Sequence, residues 1–217
     1  MVIILDFPAS VPIRHAPLWL SVATAGMRGL DGERQVLFTE NRYWIGDVTL
    51  PPLTRVQAMA CLALSDELRG RARVLRLHLP NPGANPDVGM GPVTFSDGAR
   101  FDDGALFAGL SDADPVVVED AAAGASFVRL DNWRGRSLMV GAWFSAGGFL
   151  YRVSRNDDGW LRFNPPLRAP LASGETVRVR APYVLVRLTD DTQFRNRLQY
   201  GLYTEEITFQ VEEVLKR

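Results

Sequence analysis

Few residues of this sequence have the type and spacing that metal binding or nucleophilic catalysis requires. The two histidines, His15 and His78, lie far apart, each in or beside an apolar stretch without a second imidazole or a cysteine. A zinc site needs three or four such ligands held together, so the sequence predicts no metal and no cofactor. The single cysteine, Cys61, lies between Ala60 and Leu62 on a predicted helix. With no basic neighbour to activate it, we expect a buried, inert thiol and not a nucleophile.

Carboxylates are the other residues that could carry chemistry. A cluster occurs between residues 97 and 114, at Asp97, Asp102, Asp103, Asp112 and Asp114. A calcium loop of the EF-hand type needs carboxylates at alternate positions, a central glycine and a terminal glutamate. The spacing here does not match, so we interpret these aspartates as solvated turn residues. A carboxylate pair for glycoside hydrolysis stays open, because the separation of such a pair is a three-dimensional quantity. No serine-nucleophile, phosphate-loop or zinc-protease motif occurs, and we predict that the protein is not an enzyme.

Aromatic and basic residues are concentrated later in the chain. Trp133, Trp143 and Trp160 are candidate contacts for a glycan or for another subunit, with core packing as the alternative for each. Ten arginines make the same region locally basic: Arg129, Arg134, Arg136, Arg152, Arg155, Arg162, Arg168, Arg178, Arg180 and Arg187. The net charge of the whole chain is only −1, so nothing predicts a nucleic-acid partner. We interpret the arginines as strand faces at a subunit interface, complementary to the acidic residues near the C-terminus.

Composition limits the class of protein. The chain has 217 residues, of which 47% are hydrophobic and 23% charged, as is typical of a globular protein that builds a core. Its 19 glycines, 14 prolines and short apolar runs favour strands and turns over helices. No apolar run reaches membrane-spanning length, so membrane insertion is not expected. The start, MVIILDFPAS, lacks a basic region and predicts a first strand rather than a secretion signal. One cysteine excludes internal disulfides and fits a reducing cytosol.

The elements that position these residues are clearest between residues 34 and 80. Residues 36–38 and 43–50 are β-rich and flank a polar stretch, a pattern that predicts a hairpin. Pro51 and Pro52 should end the second of these strands. Thr54 and Gln57 form a capping-box pattern, which predicts a helix over residues 54–69. Gly70 follows as the expected left-handed cap, and apolar residues from 74 to 79 predict a third strand.

Helical spacing also predicts which side of this helix packs on a sheet. The apolar residues that recur at that spacing are Val56, Met59, Ala60, Ala63, Leu64 and Leu68. We expect this stripe to be buried, with the rest of the helix facing solvent.

The later part of the chain predicts a second domain. Six strand-like runs follow residue 126, with hairpin turns at Gly147-Gly148 and at 157–159. One more amphipathic strand, at 207–212, is assigned to the first domain. We therefore predict a mainly β fold with minor α content, in which a β-sandwich-like sheet domain with one packed helix comprises residues 1–125 and 190–217. A small β-barrel domain, residues 126–189, is inserted in it. Within the first domain, residues 80–126 are expected to form a long, partly irregular arm with a strand at 115–119.

Four segments together resemble a known family. They are WIGDVTLPPLT, ELRGRARVLRLHLPNP, GGFLYRV followed by LRFNPPLRAPLASGETVRVRAPYVLVRL, and YGLYTEEITFQVEEVL. In this order they span most of residues 34–215 and resemble distal tail proteins of long-tailed bacteriophages and prophages. The resemblance implies a β-rich ring of identical copies, usually six, that joins the tail tube to the tip or baseplate. It also implies a small barrel domain that projects outward.

Function and partners follow from this resemblance as expectations. The protein would be a structural virion protein of the tail tip, made in the cytoplasm of the bacterial host. Its partners would be other copies of itself, the tail tube protein, and hub or baseplate proteins. A closed ring needs two different, complementary faces on each copy. The alternative hypothesis is a carbohydrate-binding module that attaches to host surface glycans through Trp133, Trp143 and Trp160.

Overall fold

The structure, a computed structural model, describes residues 2–21, 24–28, 34–38, 42–79, 114–131, 138–157, 159–191 and 205–215. Twelve strands and one helix occur in these ranges, which confirms the predicted mainly β fold class. The chain divides into two compact units: the first unit is Met1–Leu79 with Val184–Arg217, and the second unit is Pro80–Tyr183. No helix in the described part of the chain has the length and hydropathy needed to cross a bilayer.

The elements follow the chain in a simple order. They are β1 (Ile4–Asp6), β2 (Leu18–Ser21), β3 (Thr24–Arg28), β4 (Arg34–Phe38), β5 (Tyr43–Leu50), α1 (Arg55–Leu68), β6 (Val74–His78), β7 (Phe127–Arg129), β8 (Trp143–Ala146), β9 (Phe149–Asp157), β10 (Trp160–Asn164), β11 (Tyr183–Leu188) and β12 (Ile207–Glu213). β5 ends directly before Pro51 and Pro52, as predicted, because proline has no N–H for a ladder.

A six-stranded sheet is the frame of the first unit, in the spatial order β1-β6-β11-β12-β5-β2. β1 runs parallel to β6, whereas β5 pairs antiparallel with both β12 and β2. Alternate residues of the paired strands β5 and β12 are buried: Trp44, Val48, Leu50, Phe209 and Val211. The amphipathic strand predicted at 207–212 is therefore confirmed, and it lies inside this sheet between β11 and β5.

β3 and β4 form a separate two-stranded antiparallel sheet. The hairpin predicted between residues 36–38 and 43–50 is therefore wrong, since β4 pairs with β3 and β5 pairs with β2 and β12. A polar stretch marks the end of a strand, but the choice of partner depends on residues far along the chain.

α1 is tied at its start by the predicted capping box. Thr54 N donates to Gln57 Oε1 at 3.0 Å, and Gln57 N donates to the Thr54 hydroxyl at 3.5 Å. Gln57 Nε2 also donates to the carbonyl of Ser10 at 2.8 Å. This bond holds the first turn of the helix against the segment between β1 and β2.

The end of α1 is tied by a second contact. Arg69, and not Gly70, is the left-handed cap with φ 50°, and Gly70 continues with φ 64°. Asp191 Oδ1, after β11, accepts from Arg71 N at 2.9 Å. A Cβ on Gly70 would lie 2.8 Å from the Asp191 Cγ, so only glycine meets both the backbone and the space requirement here.

The buried side of α1 differs from the predicted one. The buried residues are Ala58, Cys61, Leu64 and Leu68. Leu64 and Leu68 were predicted correctly, but Val56 and Met59 remain 77% and 55% exposed, and Ala63 is exposed as well. The helix is apolar on two opposite sides, so periodicity alone does not show which side is buried.

The second unit is built on a curled four-stranded sheet in the order β7-β10-β9-β8, with all neighbours antiparallel. The turn predicted at Gly147 and Gly148 joins β8 to β9, and both glycines have positive φ. Flanking segments join the sheet or each other through isolated bridges: Val116↔Thr176, Val117↔Leu130, Ala121↔Leu171 and Ser145↔Arg178. The strand predicted at 115–119 and the strand-like run ETVRVRAP at 175–182 thus form isolated bridges and not continuous ladders.

Aromatic packing holds the inside of this sheet. The rings of Phe144, Tyr151 and Phe163 have centroids 5.2–5.3 Å apart. The Tyr151 hydroxyl accepts from Arg168 N at 3.1 Å, which satisfies the one polar atom of the cluster that would otherwise be costly to bury. Side chains on the opposite face of the sheet point away from this core.

The observed division of the chain differs from the predicted boundaries at 126 and 189. β11, assigned from sequence to the barrel, is a central strand of the six-stranded sheet. At the other end, the segment that contains Val116 and Ala121 bridges to residues of the second unit. Most of the predicted arm, residues 80–113, lies outside the described residues.

Candidate interaction surface

The structure separates the three tryptophans that the sequence indicated. Trp143 on β8 is 8% exposed, with the Arg152 guanidinium 3.9 Å from its ring centroid. Trp160 on β10 is 40% exposed. Their paired residues on β9, Arg152 and Asp157, are five positions apart, which is about 16 Å along a strand. Trp143 and Trp160 therefore do not form one platform, and Trp133 lies outside the described residues.

Trp160 belongs instead to a patch on the outer face of β7, β10 and β9. Each strand contributes two exposed residues to this outer patch, which consists of Phe127, Arg129, Trp160, Arg162, Arg155 and Asp157. Antiparallel register arranges them in two rows. Arg162 lies between Phe127 and Arg155 in one row, and Trp160 occupies the middle of the other.

The aromatic pair is the apolar part of the outer patch. The ring centroids of Phe127 and Trp160 are 5.9 Å apart, and Phe127 is 55% exposed. The Arg129 guanidinium lies 5.7 Å from the Trp160 centroid, and its Nη1 donates to Glu119 at 3.2 Å. Exposed aromatic rings accompanied by arginine are typical of the centres of protein interfaces.

Two arginines of the outer patch repel each other within the sheet. Arg155 and Arg162 are direct cross-strand neighbours, and like charges in that position destabilise a sheet. Arg155 pairs with Asp157 at 2.7 Å. Arg162 has no carboxylate within ion-pair distance in the described part of the chain. A partner that brings a carboxylate would relieve this repulsion.

A second exposed apolar surface runs along α1. Val56, Met59 and Ala63 recur three and four residues apart on its solvent side, and Asp66 and Glu67 continue the same line. We call these five residues the helix stripe. Val56, at its apolar end, has the highest exposed fraction, 77%, of the large hydrophobic residues that the structure describes. The other end of the stripe is acidic.

A third apolar surface lies at the N-terminal edge of the six-stranded sheet. Val2, Ile3 and Ile4 are 39%, 47% and 40% exposed. β1 pairs only with β6 among the described strands, through bonds that include Val74 N to Ile3 O and Phe7 N to Arg76 O. Ile3 and Phe7 bond to β6, and because bonding alternates along a strand, the N–H and C=O of Ile4 point away from β6. This is the arrangement of an edge strand that another chain could extend.

The other candidates that the structure describes lie on separate segments of the chain. Cys61 is 1% exposed, which confirms the predicted burial of this thiol, and burial raises its pKa to about 11. His15 and His78 are exposed on separate segments, and no group of three metal-ligating side chains occurs in the described ranges. Of the acidic cluster, Asp114 is described, and its Oδ1 accepts from the N–H of Val179 at 3.1 Å. Asp114 is half-buried and also accepts from Arg180 N at 3.3 Å, so it ties two distant segments together and is not the solvated turn residue that was predicted.

Sequence reasoning found Trp160 but missed its neighbour Phe127. The two residues become neighbours through the register of β7 on β10, and register cannot be read from a short stretch of sequence.

Comparison with models of protein families and with curated proteins found no match. The resemblance to distal tail proteins therefore stays a prediction.

Proposed function

We propose that this protein is a structural component of a bacteriophage tail tip, where identical copies form a closed ring between the tail tube and the hub or baseplate. The observation that carries the proposal is that the described residues include several separate exposed apolar surfaces, among them the outer patch, the helix stripe and the edge strand β1. A ring needs two unlike lateral faces, and its place between other proteins requires axial contacts as well. Three distinct surfaces meet that requirement.

The chemistry of the described residues supports a role without catalysis. The only thiol is buried with a raised pKa, and the surfaces that are exposed combine apolar and charged side chains. Such surfaces mark contacts with other proteins. We propose the tail tip of the virion as the site of action, with assembly in the cytoplasm of the bacterial host and no cofactor.

Imaging and mass measurement test this function directly. We expect the purified full-length chain to form closed rings in negative-stain images, with a mass that is an integer multiple of 24.1 kDa. Antibodies against the protein should label one end of isolated tails. A particle that stays monomeric at all concentrations and is absent from virions would contradict the proposal.

Trp160 supports a second candidate function, glycan binding by the second unit. Its ring is 40% exposed beside Phe127, as a sugar-contacting residue would be. If this function holds, a glycan array should show binding that Trp160→Ala abolishes. Trp143→Ala should lower stability instead, because Trp143 is buried. An array without signal for the unmodified protein removes this candidate.

A further inference from the structure

We infer that the outer patch of one copy docks on the helix stripe of the neighbouring copy. This inference rests on the proposed ring and specifies the contact that closes it. The two surfaces lie on different compact units of the chain and are unlike each other, as a head-to-tail contact in a ring requires.

The apolar parts of the two surfaces complement each other. Phe127 and Trp160 present two large rings that are 55% and 40% exposed. Val56 and Met59 present branched and flexible side chains that are 77% and 55% exposed, and Ala63 beside them leaves room for a ring. Contact between the two sets would remove both from water, which is favourable in proportion to the apolar area that is covered.

The charged parts complement each other as well. Asp66 and Glu67 lie in the last turn of α1, where the negative end of the helix dipole disfavours carboxylates, and no basic residue occupies that turn. The facing Arg155 and Arg162 of the outer patch are likewise unfavourable within their own sheet. Neither Asp66 nor Glu67 forms an ion pair within the described residues. Each surface thus carries the charge that the other one needs.

Other charges lie next to both surfaces. Asp157 is paired with Arg155, and Glu119 is paired with Arg129, so Arg162 supplies the unmatched positive charge. On the helix, Arg55 precedes the apolar end of the stripe and lies three turns away from Glu67. Arg71 is paired with Asp191, and the exposed C-cap Arg69 is the positive charge nearest to Glu67 among the described residues.

The spacing of apolar and charged groups also matches. Ala63 and Glu67 are four residues apart, which is about 6 Å along a helix. Phe127 and Arg162 are direct neighbours on adjacent strands, about 5 Å apart. A helix laid along β10 would place Glu67 over Arg162 and Arg155, and Ala63 and Met59 toward Trp160 and Phe127.

Charge reversal tests the contact. We would compare the oligomer mass of the full-length chain across a dilution series by mass photometry for Arg162→Glu, for Glu67→Arg and for the double variant. Each single change should weaken self-association by about tenfold or more, because it sets like charges against each other. The double variant should recover most of the lost association. Arg178→Glu is the matched control, since Arg178 is an exposed arginine of the second unit that lies beyond β8.

A covalent trap provides a second measurement. Arg162→Cys combined with Glu67→Cys should give intermolecular disulfides and a ladder of cross-linked copies under mild oxidation, while buried Cys61 does not interfere. If the wild type assembles, the single charge reversals leave its self-association unchanged and no ladder forms, then this contact is wrong but the proposed ring is not contradicted. If the wild type is monomeric, both the contact and the proposed ring are contradicted.

Discussion

Gly70 shows how one residue can connect two distant parts of the first unit. Its left-handed φ of 64° turns the chain away from α1, and its missing side chain leaves space for the Asp191 carboxylate. That carboxylate accepts from Arg71 N and so joins the end of the helix to the end of β11. A single glycine therefore positions a contact between residues that are 120 positions apart.

Gly70→Ala should lower the free energy of unfolding of the first unit by about 1–3 kcal/mol, through backbone strain and displacement of Asp191. Chemical denaturation followed by circular dichroism measures this loss. Gly124→Ala, measured on the unfolding of the second unit, is the control for backbone strain alone, because Gly124 also has positive φ but a Cβ there would meet nothing within 4 Å. We expect Gly124→Ala to cost less. Equal losses would show that the space around Gly70 is unimportant.

Cys61 should be unreactive in the folded protein. Burial raises its pKa from 9.0 to about 11, so little thiolate exists at pH 8 and access is blocked. An aromatic disulfide reagent should label the denatured chain quickly and the native chain very slowly. Rapid native labelling would mean that the helix opens readily.

The same pKa shift predicts a loss of stability in alkali. The folded state keeps the Cys61 proton to higher pH than the unfolded state does, so this contribution is intact below pH 9 and is lost as pH rises toward 11. The difference in unfolding free energy between wild type and Cys61→Ala should shrink over that range. A difference that stays constant would show that Cys61 titrates equally in both states.

At the scale of the element, the apolar pattern of α1 allows either of two sides of the helix to be the buried one. Apolar residues cover two opposite sides of the helix, and the two ties at its ends fix which side is buried. Gln57 bonds to Ser10 at the start, and Asp191 bonds to Arg71 just beyond the end. These ties orient the helix so that Leu64 is buried and Val56 is exposed.

Leu64→Asp should prevent folding of the first unit, because it forces an unpaired carboxylate into the core at a cost of several kcal/mol. Val56→Asp on the same helix should leave stability nearly unchanged, since Val56 is 77% exposed. Thermal unfolding by circular dichroism distinguishes them. Soluble, cooperatively unfolding Leu64→Asp protein would show that the buried side of α1 is assigned incorrectly.

At the scale of the whole molecule, exposed apolar surface occurs on both compact units and is accompanied by charge. The outer patch and the helix stripe each include groups that weaken the isolated chain: the facing Arg155 and Arg162 in the first, and the carboxylates of Asp66 and Glu67 in the second. Arrangements of this kind are costly in a monomer and favourable in an assembly.

Salt separates a charge-assisted assembly from a purely apolar one. Raising NaCl from about 0.05 M to about 0.5 M shortens the range of charge interactions from about 13 Å to about 4 Å. The dissociation constant between copies should then rise severalfold, measured by mass photometry on dilution. The dissociation constant of the Arg162→Glu variant should change much less with salt, because this variant has already lost the attraction to the acidic end of the helix stripe. An assembly that salt strengthens would indicate an interface without the proposed ion pairs.

Much of the local structure of the candidate surfaces was predictable from the sequence. Which residues come together in each surface was not. The exposed arginines and Trp160 were identified from the sequence, and so were the strands that carry them. The outer patch depends on antiparallel register, which sets Phe127 beside Arg162 and Arg162 beside Arg155. Register is fixed by packing on the buried face, and one residue of slippage would expose the core instead.

The sequence by itself determined the features that a short piece of backbone controls. Pro51 ends β5, Thr54 and Gln57 begin α1, Gly147 and Gly148 turn β8 into β9, and alternation identifies β12. Only the tertiary structure decided that β4 pairs with β3, that β11 joins the six-stranded sheet, and that α1 buries one of its two apolar sides. The reason is physical: caps and turns are set by neighbouring dihedral angles and hydrogen bonds, whereas pairing and burial are set by contacts between residues far apart in the chain.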